Sequence, residues 1–280
     1  MKYAVFTVSL PEWSPEQALS ELRDAGYDGI EWRVTDQQPA DPPGFWAGNR
    51  CTWPFTSFVE DAPHIRTMTE ASGLAIPSLG TYVTCEDLSA VELAMQGAVL
   101  VGAPQLRIGV PHYDGSRAYL ALRDQARAQY REVASLAQKY GLRALVEIHM
   151  GNITPSASSA AAFLDGFDPQ FVGVIHDAGN MVHEGYENYR LGVEVLGPFL
   201  AHVHIKSAAW RVVGQQANGS AEWKAGFAPL REGAVDLMAL FAALRAVGYD
   251  GWLSFEDFTP GGDLRARVHD NLAYIKELLT

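Results

Sequence analysis

The chain has 280 residues, 48% hydrophobic and 19% charged, with 26 Gly and 15 Pro: enough for a large core, and neither disordered nor collagen-like in composition. A formal net charge of −12 argues against a nucleic-acid partner, and two cysteines, Cys51 and Cys85, make neither a disulfide framework nor a zinc quartet. No apolar run reaches about 18 residues and the N-terminus enters strand-like sequence directly, so the expectation is a cytoplasmic protein without membrane contact.

From the N-terminus, β-branched and apolar runs predict strands at Tyr3–Val8, Gly29–Val34, Leu74–Gly80, Gln105–Val110, Arg143–His149, Phe171–Asp177, Leu200–Lys206 and Gly251–Glu256. Helix-period stretches such as Pro15–Ala25, Ser116–Tyr140 and Val235–Val247 lie between them. Eight strands leave roughly 35 residues per unit, what a strand, a helix and two loops require. Such alternation favours parallel pairing, because a parallel crossover needs a helix-sized connection. The segment Leu22-Arg-Asp-Ala-Gly-Tyr-Asp-Gly-Ile30 recurs as Leu244-Arg-Ala-Val-Gly-Tyr-Asp-Gly-Trp252, with Gly26 and Gly248 222 residues apart. Each copy ends a helix on a glycine and enters a strand. A shorter copy, Lys139-Tyr-Gly-Leu-Arg143, precedes the fifth strand. This period predicts one closed (β/α)8 barrel, a single domain over 1–280, with Asp41–Phe55 and Ala208–Ala228 as long loops above it.

In such a barrel, functional groups gather at the C-terminal ends of the strands. The fifth strand carries Glu147 near its end and the sixth closes on Asp177. The seventh holds His202 and His204 on one face, because residues i and i+2 of a strand point the same way. The eighth ends in Glu256 and Asp257. Glu147, Asp177, His204 and Glu256, spaced 30, 27 and 52 residues apart, thus meet at one mouth. Three carboxylates converging without a cation would repel, so the pattern asks for one divalent ion: Mn²⁺, Mg²⁺ or Co²⁺, with Zn²⁺ as the alternative.

These segments resemble the sugar phosphate isomerase/epimerase family, the xylose-isomerase-like TIM barrels. The resemblance rests on Gly26-Tyr-Asp-Gly-Ile-Glu31, Val146-Glu-Ile-His149, Asp177-Ala-Gly-Asn180, His202-Val-His-Ile-Lys206 and Gly248-Tyr-Asp-Gly-Trp-Leu-Ser-Phe-Glu-Asp-Phe258. It implies that Glu147, Asp177, His204 and Glu256 bind one cation, and that Glu147 and Glu256 form an acid/base pair on opposite faces of the substrate. His202 is then the lesser candidate of the two histidines. Two positions depart from ketose-acting members: Asn180 stands where they carry His, and Arg211 falls one residue beyond their Arg, with Trp210 in its place.

The chemistry follows from the residues. Chelating a carbonyl and its neighbouring hydroxyl to a cation stabilises the enediolate formed when a carboxylate removes the adjacent C–H proton. A second carboxylate can return a proton to the neighbouring carbon or the opposite face. His149, Asn180, Lys206, Arg211 and Arg107 are candidates for holding a small carbohydrate-like substrate. Trp53, Phe55, Tyr82 and Trp210 could stack on a sugar or pack a lid, and Glu31 reads as a structural barrel residue. Aromatic-rich loops carrying Trp46, Trp53, Phe55, Trp223 and Phe227 leave a lid or a homo-oligomer interface open.

The leading expectation is therefore a metal-dependent isomerase or epimerase of a small sugar, sugar derivative or cyclitol. The alternative on the same scaffold is a lyase or dehydratase, in which the same enolate expels a β-leaving group. Apurinic-site endonucleases share the fold but use further metal ligands and a basic face, which the charge of −12 does not offer. A non-catalytic sugar-binding subunit would have no need of both Glu147 and Glu256.

Overall fold

The serine at position 14 begins the first helix by a reciprocal cap: its side chain accepts from Gln17 N–H while Gln17 accepts from the Ser14 backbone. Pro15 at the first turn and Gly26, left-handed at φ +88°, bound that helix at Pro15–Ala25 and return the chain toward the second strand. Repeats of this unit build the molecule. The computed structural model describes residues 1–279.

Eight parallel strands form the barrel: β1 (Lys2–Phe6), β2 (Gly29–Val34), β3 (Leu79–Thr81), β4 (Gln105–Arg107), β5 (Arg143–Glu147), β6 (Val172–Asp177), β7 (Leu200–Ile205) and β8 (Trp252–Phe255). Each pairs with its neighbours in sequence, and β8 closes on β1 through Lys2↔Trp252 to Val5↔Phe255. The outward faces of the strands pack on the helices. Trp32, fully buried on β2, donates its indole N–H to Thr69 on the helix Phe58–Ser72.

Two sequence expectations need correction. The third strand starts at Leu79 rather than Leu74; Ala75 forms only an isolated bridge to Gly29. Pro77, which has no N–H to give a ladder, separates the two. Residues 208–228, expected as a loop, fold into an antiparallel hairpin of Ser207–Gln215 and Ala221–Ala228. Its turn contains Asn218-Gly219, with Gly219 at φ +85°. No described helix is long and apolar enough to cross a membrane.

The β6–β7 pairing carries one irregularity. Val174 faces Leu200, but the next residue, Ile175, faces His202, so Ala201 is an extra residue on β7. Gly173 leaves it space, for a Cβ there would stand 2.8 Å from the Ala201 methyl. Above the irregularity His204 lies opposite Asp177.

Candidate functional site

Alternation along β7 and just beyond it aligns His202, His204 and Lys206 on one face, rising from the barrel interior to its mouth. All three are buried, as are Glu147 at the end of β5, Asp177 at the end of β6 and Glu256 just past β8. Glu147, Asp177, His204 and Glu256 each offer a ligand atom, and these four atoms lie within 4.8 Å of one another. His204 Nδ1 is 3.1 Å from Glu147 Oε1 and 3.6 Å from both Asp177 Oδ2 and Glu256 Oε2. The four residues expected to meet do so.

Two cations balance these acids. The Lys206 ammonium stands 2.7 Å from Asp177 Oδ2 and also contacts Glu256. Arg107, at the end of β4, donates to Glu147 Oε2 at 2.5 Å and to the Thr81 carbonyl at 2.9 Å. Burial disfavours every charge in this group, and the neighbours decide each outcome. Burial opposes ionisation of Glu147, yet Arg107 beside it holds its carboxyl well below the usual carboxylate range. Burial opposes Asp177 too, and Lys206 keeps that carboxyl low. At Glu256 burial prevails and the carboxyl is raised. Burial alone would lower His204, but the carboxylates of Glu31 and Glu256 lift it well above an ordinary imidazole.

The residues fit a cation. Three carboxylate oxygens and one imidazole nitrogen make a hard-to-borderline donor set for a single divalent ion. Asp177 Oδ2, fully buried, accepts no well-directed hydrogen bond even with Lys206 alongside. A cation would give this oxygen a partner.

Above the cluster lies a cavity of about 240 Å³ lined by Glu147, Glu256, Lys206, Arg107, His149 and a wall of aromatic rings. The Lys206 ammonium is 5.4 Å from the Phe227 ring and 5.3 Å from Phe258, while the Arg107 guanidinium lies 4.4 Å from Tyr82. Phe6 projects from β1 across Gly80, where any Cβ would come within 2.1 Å of its ring, and stacks on His204 at 5.7 Å.

The other sequence candidates separate. His149, Lys206 and Arg107 line the cavity. Asn180 is buried outside the cavity lining, donating to the Ile148 carbonyl at 3.1 Å and standing 3.5 Å from Glu147 Oε1. Arg211 sits exposed on the hairpin and does not line the cavity, while its neighbour Trp210, itself about half exposed, donates its indole N–H to the Val182 carbonyl. Sequence reading missed Phe258 as a cavity wall and Phe6 as the ring stacked on His204, although Phe6 ends β1 and Phe258 stands just past β8. It also missed the partner of the two histidines: Glu31 Oε2 lies 3.1 Å from His202 Nε2 and 3.2 Å from His204 Nε2. His202 therefore faces Glu31 and not the four-residue cluster.

The family described as xylose isomerase-like TIM barrel matches residues 19–278. Inosose dehydratase of Geobacillus thermodenitrificans strain NG80-2 is 26% identical over 129 residues, 44% of this chain and 43% of that protein. The matched stretch thus spans less than half the length of this curated relative. Among solved structures, 3-keto-D-glucoside 4-epimerase YcjR of E. coli is 16% identical with a TM-score of 0.74, covering 99% of both chains. The IOLI protein, crystallised with a zinc atom, is 15% identical with a TM-score of 0.75, covering 100% of this chain and 98% of its own. The likeness to the two structures is one of fold.

Proposed function

The chain belongs to the xylose isomerase-like TIM barrel family, and on that footing we propose that it is a divalent-metal-dependent isomerase or epimerase of a small sugar, sugar derivative or cyclitol, residues 1–280 working as one unit. The observation that carries this reading is the placement of Glu147 and Glu256: both belong to the four-residue cluster and both line the cavity above it. Glu147, Asp177, His204 and Glu256 would hold Mn²⁺, Mg²⁺ or Co²⁺, with Zn²⁺ the alternative. Once bound, the cation supplies Lewis-acid charge to a carbonyl and its neighbouring hydroxyl.

The chain's own groups do the rest. Glu147, braced by Arg107 and Asn180, is one proton carrier and Glu256 the other; one removes a proton beside the carbonyl and the other returns one. Lys206, Arg107 and His149 hold substrate hydroxyls, while Tyr82, Phe227 and Phe258 present apolar surface to a carbon skeleton and exclude water.

A second reading is a dehydratase acting on a keto-sugar or keto-cyclitol, supported by the similarity to inosose dehydratase. It shares the first proton abstraction, after which a hydroxyl departs as water instead of a proton returning to carbon. One experiment separates the two. The Mn²⁺-loaded protein is incubated with a panel of ketoses and keto-cyclitols in deuterium oxide and followed by NMR and ultraviolet absorbance. Deuterium at the carbon beside the carbonyl with formation of an isomer or epimer supports the first reading. Loss of water with a rising enone absorbance supports the second, and no exchange with any member of the panel overturns both.

A further inference from the structure

Glu31 is fully buried on β2, across the barrel bore from β7, and two imidazoles converge on a single one of its oxygens. Its other oxygen, Oε1, has no hydrogen-bond partner, and neither has His202 Nδ1. A carboxylate only accepts, so at 3.1 and 3.2 Å both His202 Nε2 and His204 Nε2 must point an N–H at it. For His204 that choice has a consequence at the far side of the ring. With the N–H fixed at Nε2, the nitrogen that faces Glu147, Asp177 and Glu256 is Nδ1.

Resting on the cation site proposed above, we infer that Glu31 is a positioning residue of that site: it locks the His204 ring so that Nδ1 is the donor presented to the cation, and His202 holds Glu31 in place for this. The stability of the fold offers little other reason for the arrangement. A buried carboxylate with one oxygen unpartnered and no lysine or arginine ion-paired to it among the described residues is an expensive group to keep. Phe6 stacks on the His204 ring from the third side, so the ring is held by a carboxylate behind, carboxylates ahead and an aromatic face alongside. Groups that orient a metal-ligating histidine through its second nitrogen set both the angle of the ring and its basicity.

The test is cation affinity. Wild type, Glu31→Gln, Glu31→Asp and His202→Gln are freed of metal with a chelator and titrated with Mn²⁺, the free ion being counted by electron paramagnetic resonance. The Co²⁺ forms are compared by visible absorption. Glu31→Gln and Glu31→Asp should bind Mn²⁺ about 10- to 100-fold more weakly than wild type and alter the Co²⁺ spectrum. His202→Gln keeps a donor toward Glu31 and should stay within about threefold of wild type. Should Glu31→Gln not fold, the charge-conserving Glu31→Asp decides. Wild-type affinity and an unchanged Co²⁺ spectrum in the folded Glu31 variants would overturn the inference. So would a drop from two bound ions to one, which would make Glu31, His202 and His204 a second cation site. A wild type that binds no cation at all instead overturns the proposed function itself.

Discussion

The ammonium of Lys206 stands 2.7 Å from Asp177 Oδ2, and Asp177 is one of the four residues whose ligand atoms converge at the barrel mouth. At the proposed cation site, lysine and a divalent ion would therefore compete for the same carboxylates. Each can balance the charge, but both cannot occupy one place.

Lys206→Met should expose this competition. Without the ammonium, buried Asp177 and Glu256 lose their nearest counter-charge, which should destabilise the metal-free protein by about 3–5 kcal/mol. Added Mn²⁺ should then raise the unfolding midpoint more in the variant than in wild type. Thermal unfolding with and without Mn²⁺ reads both effects, and an equal increment in the two proteins would argue against shared occupancy.

Glu147→Gln and Glu256→Gln should each lower turnover by at least about 100-fold, the usual scale for losing a positioned acid or base. Each should also abolish deuterium incorporation at the carbon beside the carbonyl. Normal exchange in both variants would remove the acid/base assignment.

Elemental analysis of protein purified without added metal should find about one divalent ion per chain, matching a single four-donor site. Glu256→Gln should carry less. Treatment with a chelator should abolish activity, and Mn²⁺ or Co²⁺ should restore it. His204→Asn, which offers an amide in place of imidazole, should weaken binding; undiminished affinity would make His149 the nitrogen ligand, since His202 is turned toward Glu31.

His176, on the outward face of β6, predicts a pH dependence of stability. Both its ring nitrogens are buried without partners, and burial pulls its pKa from 6.5 down to about 4. Below pH 6.5 the unfolded chain takes up a proton that the folded protein refuses until about pH 4. Stability contributed at neutral pH is thus lost as the pH falls through that window, by about 3 kcal/mol at most. His176→Leu should remove this component, so that urea unfolding at pH 4.5 and pH 7 differs less in the variant than in wild type. An identical difference would mean that other groups carry the acid sensitivity.

Much of the site was legible because two periodicities coincide in it. The two-residue repeat of a strand sorts His202, His204 and Lys206 from Val203 and Ile205. The barrel repeat then brings the ends of β5, β6, β7 and β8 to one level. Glu31 escaped because its partners lie 171 and 173 residues away, on the far side of a closed ring, and nothing near it in sequence marks that contact. Asn180 and Arg211 fall outside the cavity lining for a similar reason. Asn180 turns its amide to the Ile148 carbonyl and Glu147, and Arg211 lies at an exposed hairpin position. The hairpin did leave a local sign, the Asn218-Gly219 pair between alternating residues. The late start of β3 left another in Pro77.

The extra residue at Ala201 acts as a phase shifter. Had the pairing that begins at Val174 and Leu200 run on evenly, Val203 would stand opposite Asp177. Both histidines and the lysine would then point at the helices, and the bore would be lined by aliphatic carbon. A single residue absorbed beside the bare backbone of Gly173 transposes the whole polar series from the wall to the bore. The ability of this barrel to gather charge at its centre is thus set one turn below the charges, by two residues that carry none.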